Sequence, residues 1–176
     1  KSYYHEHGTT LAGLMKLHDI APGSFLDYVH DIDYSPVAAA PDLGTAIEAL
    51  PGRKLIFTNG SRRHAENVAA RLGILALFDE IFDIADAAFI PKPRIEAYQS
   101  FLAAHGVRAD RSAMFEDLPH NLEAPHALGM TTVLVHSTYV DHPITHEIRE
   151  WSAPPAYIHH MTKDLAGFLA GLGPEG

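Results

Sequence analysis

From residue 41 onward the chain alternates between two hydrophobic rhythms. Short apolar runs have the length and composition of strands: "KLIFT" at 54–58, "EIFDIA" at 80–85, "SAMFED" at 112–117, "TTVLVHS" at 131–137 and "AYIHHM" at 156–161. "KLIFT" is the compact kind expected of a strand buried on both faces. Between the runs lie amphipathic stretches that predict helices over 41–50, 61–74, 93–107, 119–130 and 163–172. In the second of these, Ala65, Val68, Ala69 and Leu72 share one face. Gly73, Gly106 and Gly129 stand where three of the helices should stop.

Strands that alternate with helices through short links imply right-handed crossovers and a parallel sheet. The expected class is therefore α/β, a Rossmann-like parallel sheet flanked by helices. Ligands of such sheets sit at the carboxyl ends of the strands, so the polar residues ending each run deserve scrutiny. The chain before residue 41 has a different character. "SYYHEHGTTLAGLM" at 2–15 reads as a helix already under way, and Phe25, Leu26 and Val29 recur at helical spacing. The Pro/Ala seam "SPVAAAPDLG" at 35–44 divides a helical piece, residues 1–37, from an α/β part, residues 38–176.

Composition narrows the function classes. With 176 residues the chain can bury one substantial core, and 47 % hydrophobic content suits a globular protein. A formal net charge of −9 and no Lys/Arg stripe disfavour nucleic acid as a partner, though a local cationic pocket can still hold a phosphate. No apolar run approaches the length of a membrane span. The absence of cysteine excludes disulfides and thiolate metal sites, and a cytoplasmic location is the expectation. The 13 histidines are scattered and, apart from His159 and His160, single, as surface or core histidines are.

Three strand ends carry candidate chemistry. In "FTNGS", Thr58 offers a hydroxyl, Asn59 and Gly60 offer backbone N–H groups, and a helix N-terminus follows, which together favour an anion. Thr-Asn-Gly-Ser is also an ordinary strand-to-helix turn. In "FIPKP", Pro91 and Pro93 stiffen the backbone around Lys92, which suits a lysine that neutralises an anion. Pro-Lys-Pro is equally a common solvated loop. In "MFEDLPHN", Glu116 and Asp117 end an apolar strand with Asn121 one helical turn on. Adjacent acids there repel, and a hard cation such as Mg²⁺ relieves the repulsion. Alternatively one acid caps the helix and the other faces water.

In their order and spacing these motifs resemble those of the haloacid dehalogenase superfamily of phosphatases. "TNGS" is similar to its second motif, "KP" to its third, and "FEDLPHN" to its acidic fourth, ED-x-x-x-N. "HGTTLAGLM" and "FLDYVHDIDYS" are similar to segments of its pyrimidine 5′-nucleotidase branch. The resemblance implies that one aspartate attacks the phosphoryl group and that a second, two residues on, protonates the leaving group. It implies that Thr58, Asn59 and Gly60 hold phosphate oxygens with Lys92, which also offsets the charge on the nucleophile. It further implies Mg²⁺ bound by Asp117 with help from Glu116, and a helical cap, here partial, over residues 1–37. Tyr3, Tyr4, His5 and Thr9 could line its inner side.

The family's first motif is a buried apolar strand followed by D-x-D, and "VHDIDYSP" imitates it with Asp31 and Asp33. Asp27 and His30 interrupt the run that should be an apolar strand, so this stretch is assigned to a cap–core hinge. The nucleophilic aspartate is then expected upstream of residue 1. The resulting expectation is a Mg²⁺-dependent phosphomonoester hydrolase acting through an aspartyl-phosphate on a small molecule, a pyrimidine nucleoside 5′-monophosphate. A sugar-phosphate phosphatase or mutase, or an inactive phosphate-binding fragment, are the alternatives. A 2-haloacid dehalogenase fits less well, because that reaction gives Glu116 and Asp117 no metal to hold.

Overall fold

The computed structural model describes residues 10–18, 21–137 and 143–172. Tyr3, Tyr4, His5 and Thr9 lie outside them. The chain divides into two compact units, Lys1–Lys92 with Leu169–Gly176, and Pro93–Phe168.

The first unit opens with α1 (Thr10–His18) and α2 (Pro22–Val29). Pro22 starts α2 at a position where its missing N–H costs nothing. Leu11 and Leu26 from these helices meet Ile84 in a small core, with Met15, Phe25 and Phe89 packed against it. Next come α3 (Pro41–Ala49), β1 (Leu55–Phe57), α4 (Arg62–Leu72) and β2 (Glu80–Phe82). β1 and β2 run parallel, with Leu55 opposite Glu80 and Phe57 opposite Phe82. The helix between them is α4, the crossover that a parallel pair requires.

Local chemistry sets the ends of α4. Ser61 sits at the N-cap in extended geometry, and its hydroxyl accepts from the His64 N–H. At the other end Gly73 adopts φ 78°, a left-handed conformation that closes the helix and that residues with a Cβ avoid. The face carrying Ala65, Val68, Ala69 and Leu72 lines an apolar depression of about 270 Å³ together with Ile56 and Ile74. β1 departs from expectation. Its three residues are half-buried rather than enclosed on both faces, because one side of the strand fronts this depression and only β2 pairs with it among the described residues.

The second unit contains α5 (Ile95–His105), β3 (Ala113–Glu116), α6 (Glu123–Ala127), β4 (Thr131–Val135), α7 (Pro143–Glu150) and β5 (His160–Thr162). α8 (Leu165–Ala170) follows β5. The three strands form a parallel sheet in the order β3-β4-β5, with Phe115 opposite Val133 and Leu134 opposite Met161. Tyr98, Leu122, Val133 and Leu134 are its largest fully buried apolar side chains. The parallel α/β class holds, and the ladders form two sheets, of two and three strands.

Two of the predicted elements are cut short by a side chain reaching in from elsewhere in the chain. Residues 119–130 do not make one α-helix: Pro119–Leu122 is a 3₁₀ turn, and α6 spans only Glu123–Ala127. Pro125 has no N–H to give the Asn121 carbonyl four residues earlier, so that acceptor needs another donor. The Tyr98 hydroxyl supplies it at 2.6 Å. Burial, with the Glu116 carboxylate second, holds the Tyr98 phenol far above its ordinary value near 10, which keeps it a donor. Tyr98→Phe is therefore expected to destabilise the fold by about 1–3 kcal/mol, the cost of an unsatisfied buried carbonyl. Urea denaturation would show it as a lower midpoint at unchanged slope; an unchanged midpoint would refute the pairing.

Likewise "AYIHHM" is a strand only from His160. Ahead of that point the Thr132 side chain replaces the ladder. Its hydroxyl donates to the Tyr157 carbonyl at 2.7 Å and accepts from the His159 N–H at 3.1 Å. The Thr132 N–H in turn donates to His159 Nδ1 at 3.0 Å.

Candidate functional site

In the first unit, the turn after β1 and the loop before Pro93 are joined by one side chain. Asn59 Oδ1 accepts from the Lys92 N–H at 2.8 Å, and Asn59 Nδ2 donates to the Lys92 carbonyl at 3.1 Å. The carboxamide thus pairs with both main-chain groups of Lys92, much as a neighbouring strand would. Lys92 is 9 % exposed, and its Nζ donates to the Phe57 carbonyl at 3.2 Å and lies 5.2 Å from the centre of the Phe57 ring. Pro-Lys-Pro is therefore a buried mount for an ammonium at the carboxyl end of β1. Two residues of the connecting loop, Ala88 and Phe89, hold positive φ of 51° and 60°, a conformation costly for side chains with a Cβ.

Thr58 stands next to that ammonium's acceptor. Its N–H continues the ladder to the Phe82 carbonyl, and its hydroxyl accepts from the Gly60 N–H at 2.9 Å. A Cβ at Gly60 would sit 3.3 Å from Thr58 Oγ1 and 3.5 Å from His30 Cε1, so the tight turn favours glycine. The helix N-terminus beyond it is less open than the sequence implied. The Arg62 N–H donates to Asp83 Oδ2 at 2.8 Å, and the His64 N–H to the Ser61 hydroxyl at 3.3 Å. Asp83, buried after β2, also accepts from the Ala85 and Asp86 amides.

In the second unit, β3 ends in Glu116, which is 8 % exposed, followed by the exposed Asp117. Glu116 Oε1 accepts from the Asp117 N–H at 3.2 Å and more weakly from the Leu118 N–H at 3.5 Å. Asn121 is 3 % exposed, and its Oδ1 has no hydrogen-bond partner among the described residues. A buried oxygen in that state is costly, and it asks for a cation or a donor. The structure thus gathers the predicted residues into two clusters. One holds Thr58, Asn59, Gly60 and Lys92; the other holds Glu116 and Asp117 with Asn121.

Asp31 and Asp33 lie beyond α2 in a segment that joins neither sheet. Asp33 is engaged locally. Its carboxylate accepts from the Ser35 hydroxyl at 2.7 Å and the Ser35 N–H at 2.8 Å, and these two bonds hold it below its ordinary pKa. Arg71 on α4 fastens the same turn by donating to the Tyr34 and Ser35 carbonyls.

A histidine cluster beside this turn is absent from the sequence reading. The rings of His30 and His64 stack at 4.2 Å, and His30 Nδ1 lies 2.8 Å from Ser61 Oγ. The Tyr34 hydroxyl donates to the His30 carbonyl at 2.9 Å and lies 2.9 Å from His64 Nδ1. The spacing of about thirty residues between partners leaves no local signal; the only hint is a histidine interrupting the apolar run at position 30. Both rings are held below their ordinary pKa of 6.5, His30 by burial and then by the charge of His64 (Asp27 opposes this), and His64 by burial. The folded state thus binds fewer protons than the unfolded chain, and stability falls as pH drops below about 6.5. Thermal melts from about pH 7.5 to 5.5 should show that loss, and His64→Gln should flatten it. A variant as pH-sensitive as the wild type would contradict the assignment.

The profile of the haloacid dehalogenase-like hydrolases matches residues 10–129, more than half of the chain. The chain belongs to that family. Solved structures agree on the fold. A dehalogenase determined with an intermediate complex superposes with a TM-score of 0.59 at 19 % identity, over 90 % of this chain and 66 % of its own. The L-2-haloacid dehalogenase of Xanthobacter autotrophicus, with chloropropionic acid covalently bound, gives 0.59 at 16 %, over 75 % and 60 %. A haloacid dehalogenase-like protein of unknown function from Agrobacterium tumefaciens gives 0.58 at 16 %, over 97 % and 86 %. This member of the haloacid dehalogenase-like hydrolases therefore spans about two thirds of the length of the first of these dehalogenases. Among the described residues no helix is long and apolar enough to cross a membrane.

Proposed function

We propose that this haloacid dehalogenase-like hydrolase is a Mg²⁺-dependent phosphomonoesterase acting on nucleoside 5′-monophosphates of the pyrimidine type. The observation that carries the reading is the buried Lys92, its main chain clamped by Asn59 and its ammonium on the Phe57 carbonyl at the strand end beside Thr58. An ammonium and a hydroxyl held at the carboxyl edge of a parallel strand suit the oxygens of a phosphoryl group. In this assignment Thr58 Oγ1 and the Asn59 and Gly60 amides hold phosphate oxygens, Gly60 exchanging its bond to Thr58 for one to substrate. Lys92 balances the charge of phosphate and nucleophile. The Asp33 carboxylate is committed to its own turn through Ser35, which argues against its serving as the acid/base partner in this chemistry. The X. autotrophicus dehalogenase holds chloropropionic acid covalently, and the aspartyl-phosphate route is covalent catalysis of the same general kind. Residues 1–37 would belong to a helical cap that excludes water from the reaction.

The oxygen-rich end of β3 fits a hard cation in ligand type: the carboxylates of Glu116 and Asp117 and the unpartnered Asn121 Oδ1. Among the described residues no three His, Cys, Asp or Glu side chains form a metal cage, so the ligands would be these oxygens completed by water. Asp117, with Glu116, would hold it. When bound, it would neutralise the charge that the adjacent carboxylates concentrate at the end of β3.

The full-length protein should release phosphate from uridine or cytidine monophosphate in Mg²⁺ and stop on chelation. Release of chloride from 2-chloropropionate without any metal, and no phosphate from either nucleotide, would replace this reading with the dehalogenase one.

A further inference from the structure

Next to the Thr58–Lys92 cluster, and within the same unit, lies an open depression of about 450 Å³. Its lining includes Asp27, Tyr28, His30, Asp31, Ser61 and Arg63. The volume falls within the range of small-molecule sites, roughly 300–1,000 Å³. Two of its walls touch the phosphate turn directly. Ser61 follows Gly60 in the chain, and His30 packs against the position a Gly60 Cβ would take while lying 2.8 Å from Ser61 Oγ. A group esterified to a phosphate at Thr58 has this hollow beside it.

The lining discriminates between kinds of leaving group. Asp27 and Asp31 present two carboxylates against one guanidinium, Arg63. A second anionic group would meet net repulsion there, whereas hydroxyl donors would make charge-assisted hydrogen bonds. Tyr28 adds a flat apolar surface. It is 82 % exposed, the most exposed large hydrophobic side chain among the described residues, and nothing in the packing of α2 accounts for it. An aromatic face left in water at the rim of a polar hollow suits stacking against a planar ring.

We infer that this depression is the leaving-group subsite, in which Asp27 and Asp31 accept hydrogen bonds from the vicinal hydroxyls of a ribose and Tyr28 stacks on its base. Arg63 donates to the carbonyl oxygens of the base, and His30 positions Ser61 rather than touching the sugar. The inference rests on the phosphomonoester reading and goes beyond it by locating what recognises the nucleoside. A ribonucleotide is preferred to its 2′-deoxy counterpart, and a 2-haloacid, small and carboxylated, leaves the hollow unfilled.

Calorimetric titration of the full-length protein in chelator, where turnover is off, tests this with inorganic phosphate, ribose 5-phosphate, uridine monophosphate and its 2′-deoxy analogue. The wild type should bind uridine monophosphate at least about ten-fold more tightly than phosphate, as one or two hydrogen bonds to a charged group provide. The pair Asp27→Asn and Asp31→Asn, both exposed and isosteric, should erase most of that advantage and the ribo-over-deoxy preference. Tyr28→Ala should weaken uridine monophosphate about five-fold, within the range for one stacked base, and leave ribose 5-phosphate unchanged. If the wild type shows phosphate binding that is lost in Lys92→Met, yet these variants keep the wild-type ratio of nucleotide to phosphate affinity, the subsite is refuted and the phosphatase reading stands. If phosphate does not bind, or binds independently of Lys92, both fall together.

Discussion

Lys92→Met should lower the rate of phosphate-ester hydrolysis by at least about a hundred-fold, the usual loss when one preorganised electrostatic group is removed from a transition state. Methionine matches the four-atom apolar stem of lysine and lacks the ammonium that lies 5.2 Å from the centre of the Phe57 ring, so the change isolates that charge. The loop should hold its shape, because Asn59 grips the main chain of residue 92 and is indifferent to its side chain. The fall should appear mainly in kcat, with a thermal midpoint close to wild type. Lys92→Arg should not rescue the activity, since a planar guanidinium cannot occupy a pocket built for a compact ammonium. A methionine variant with wild-type turnover would remove Lys92 from the site.

Asp117→Asn should have an effect of similar or greater size, on the order of 10²–10⁴-fold, as expected when a metal's several kcal/mol of charge stabilisation is lost. Asparagine preserves shape and removes one charge. The signature is a rise in the Mg²⁺ concentration needed for half-maximal rate, with partial recovery at high Mg²⁺. Glu116→Gln should raise the requirement less, because Glu116 already accepts two backbone amides in the turn it begins. A uniform rate loss with an unaltered Mg²⁺ titration would assign Asp117 a structural part instead.

Much of the fold was legible because burial leaves a period in the sequence. "KLIFT", "EIFDIA", "SAMFED" and "TTVLVHS" each contain the strand that forms, and Gly73 and Gly106 stand at helix ends with φ of 78° and 59°. Two of the positions that fail share one physical cause. At each, a side chain distant in sequence satisfies a main-chain group in place of the regular ladder. Tyr98 does so for the Asn121 carbonyl that Pro125 abandons, and Thr132 for Tyr157 and His159. Periodicity reports which face is apolar; it is silent about which hydroxyl reaches which carbonyl.

The candidate site divides in the same way. Lys92 was legible as a residue type on a stiff mount, but its burial and the Asn59 clamp, 33 residues apart, were not. "TNGS" suggested free amides at a helix start, whereas Asp83 and Ser61 already cap Arg62 and His64. Asp83 itself sits in a stretch read as a strand, and only its D-x-x-D spacing to Asp86 hinted at the turn that brings it there. The motifs marked which residue types end the strands and not what those residues contact, because a motif reports composition near a strand end and contacts depend on the whole unit.

The most direct test of the account is a crystal structure of the full-length protein with Mg²⁺ and orthovanadate, which mimics a phosphoryl group in transfer. Vanadate oxygens are expected within hydrogen-bonding distance of Thr58 Oγ1 and Lys92 Nζ, with the metal on Asp117. Vanadate bound elsewhere, with Lys92 Nζ still on the Phe57 carbonyl and Asp117 bare of metal, would contradict the phosphatase reading.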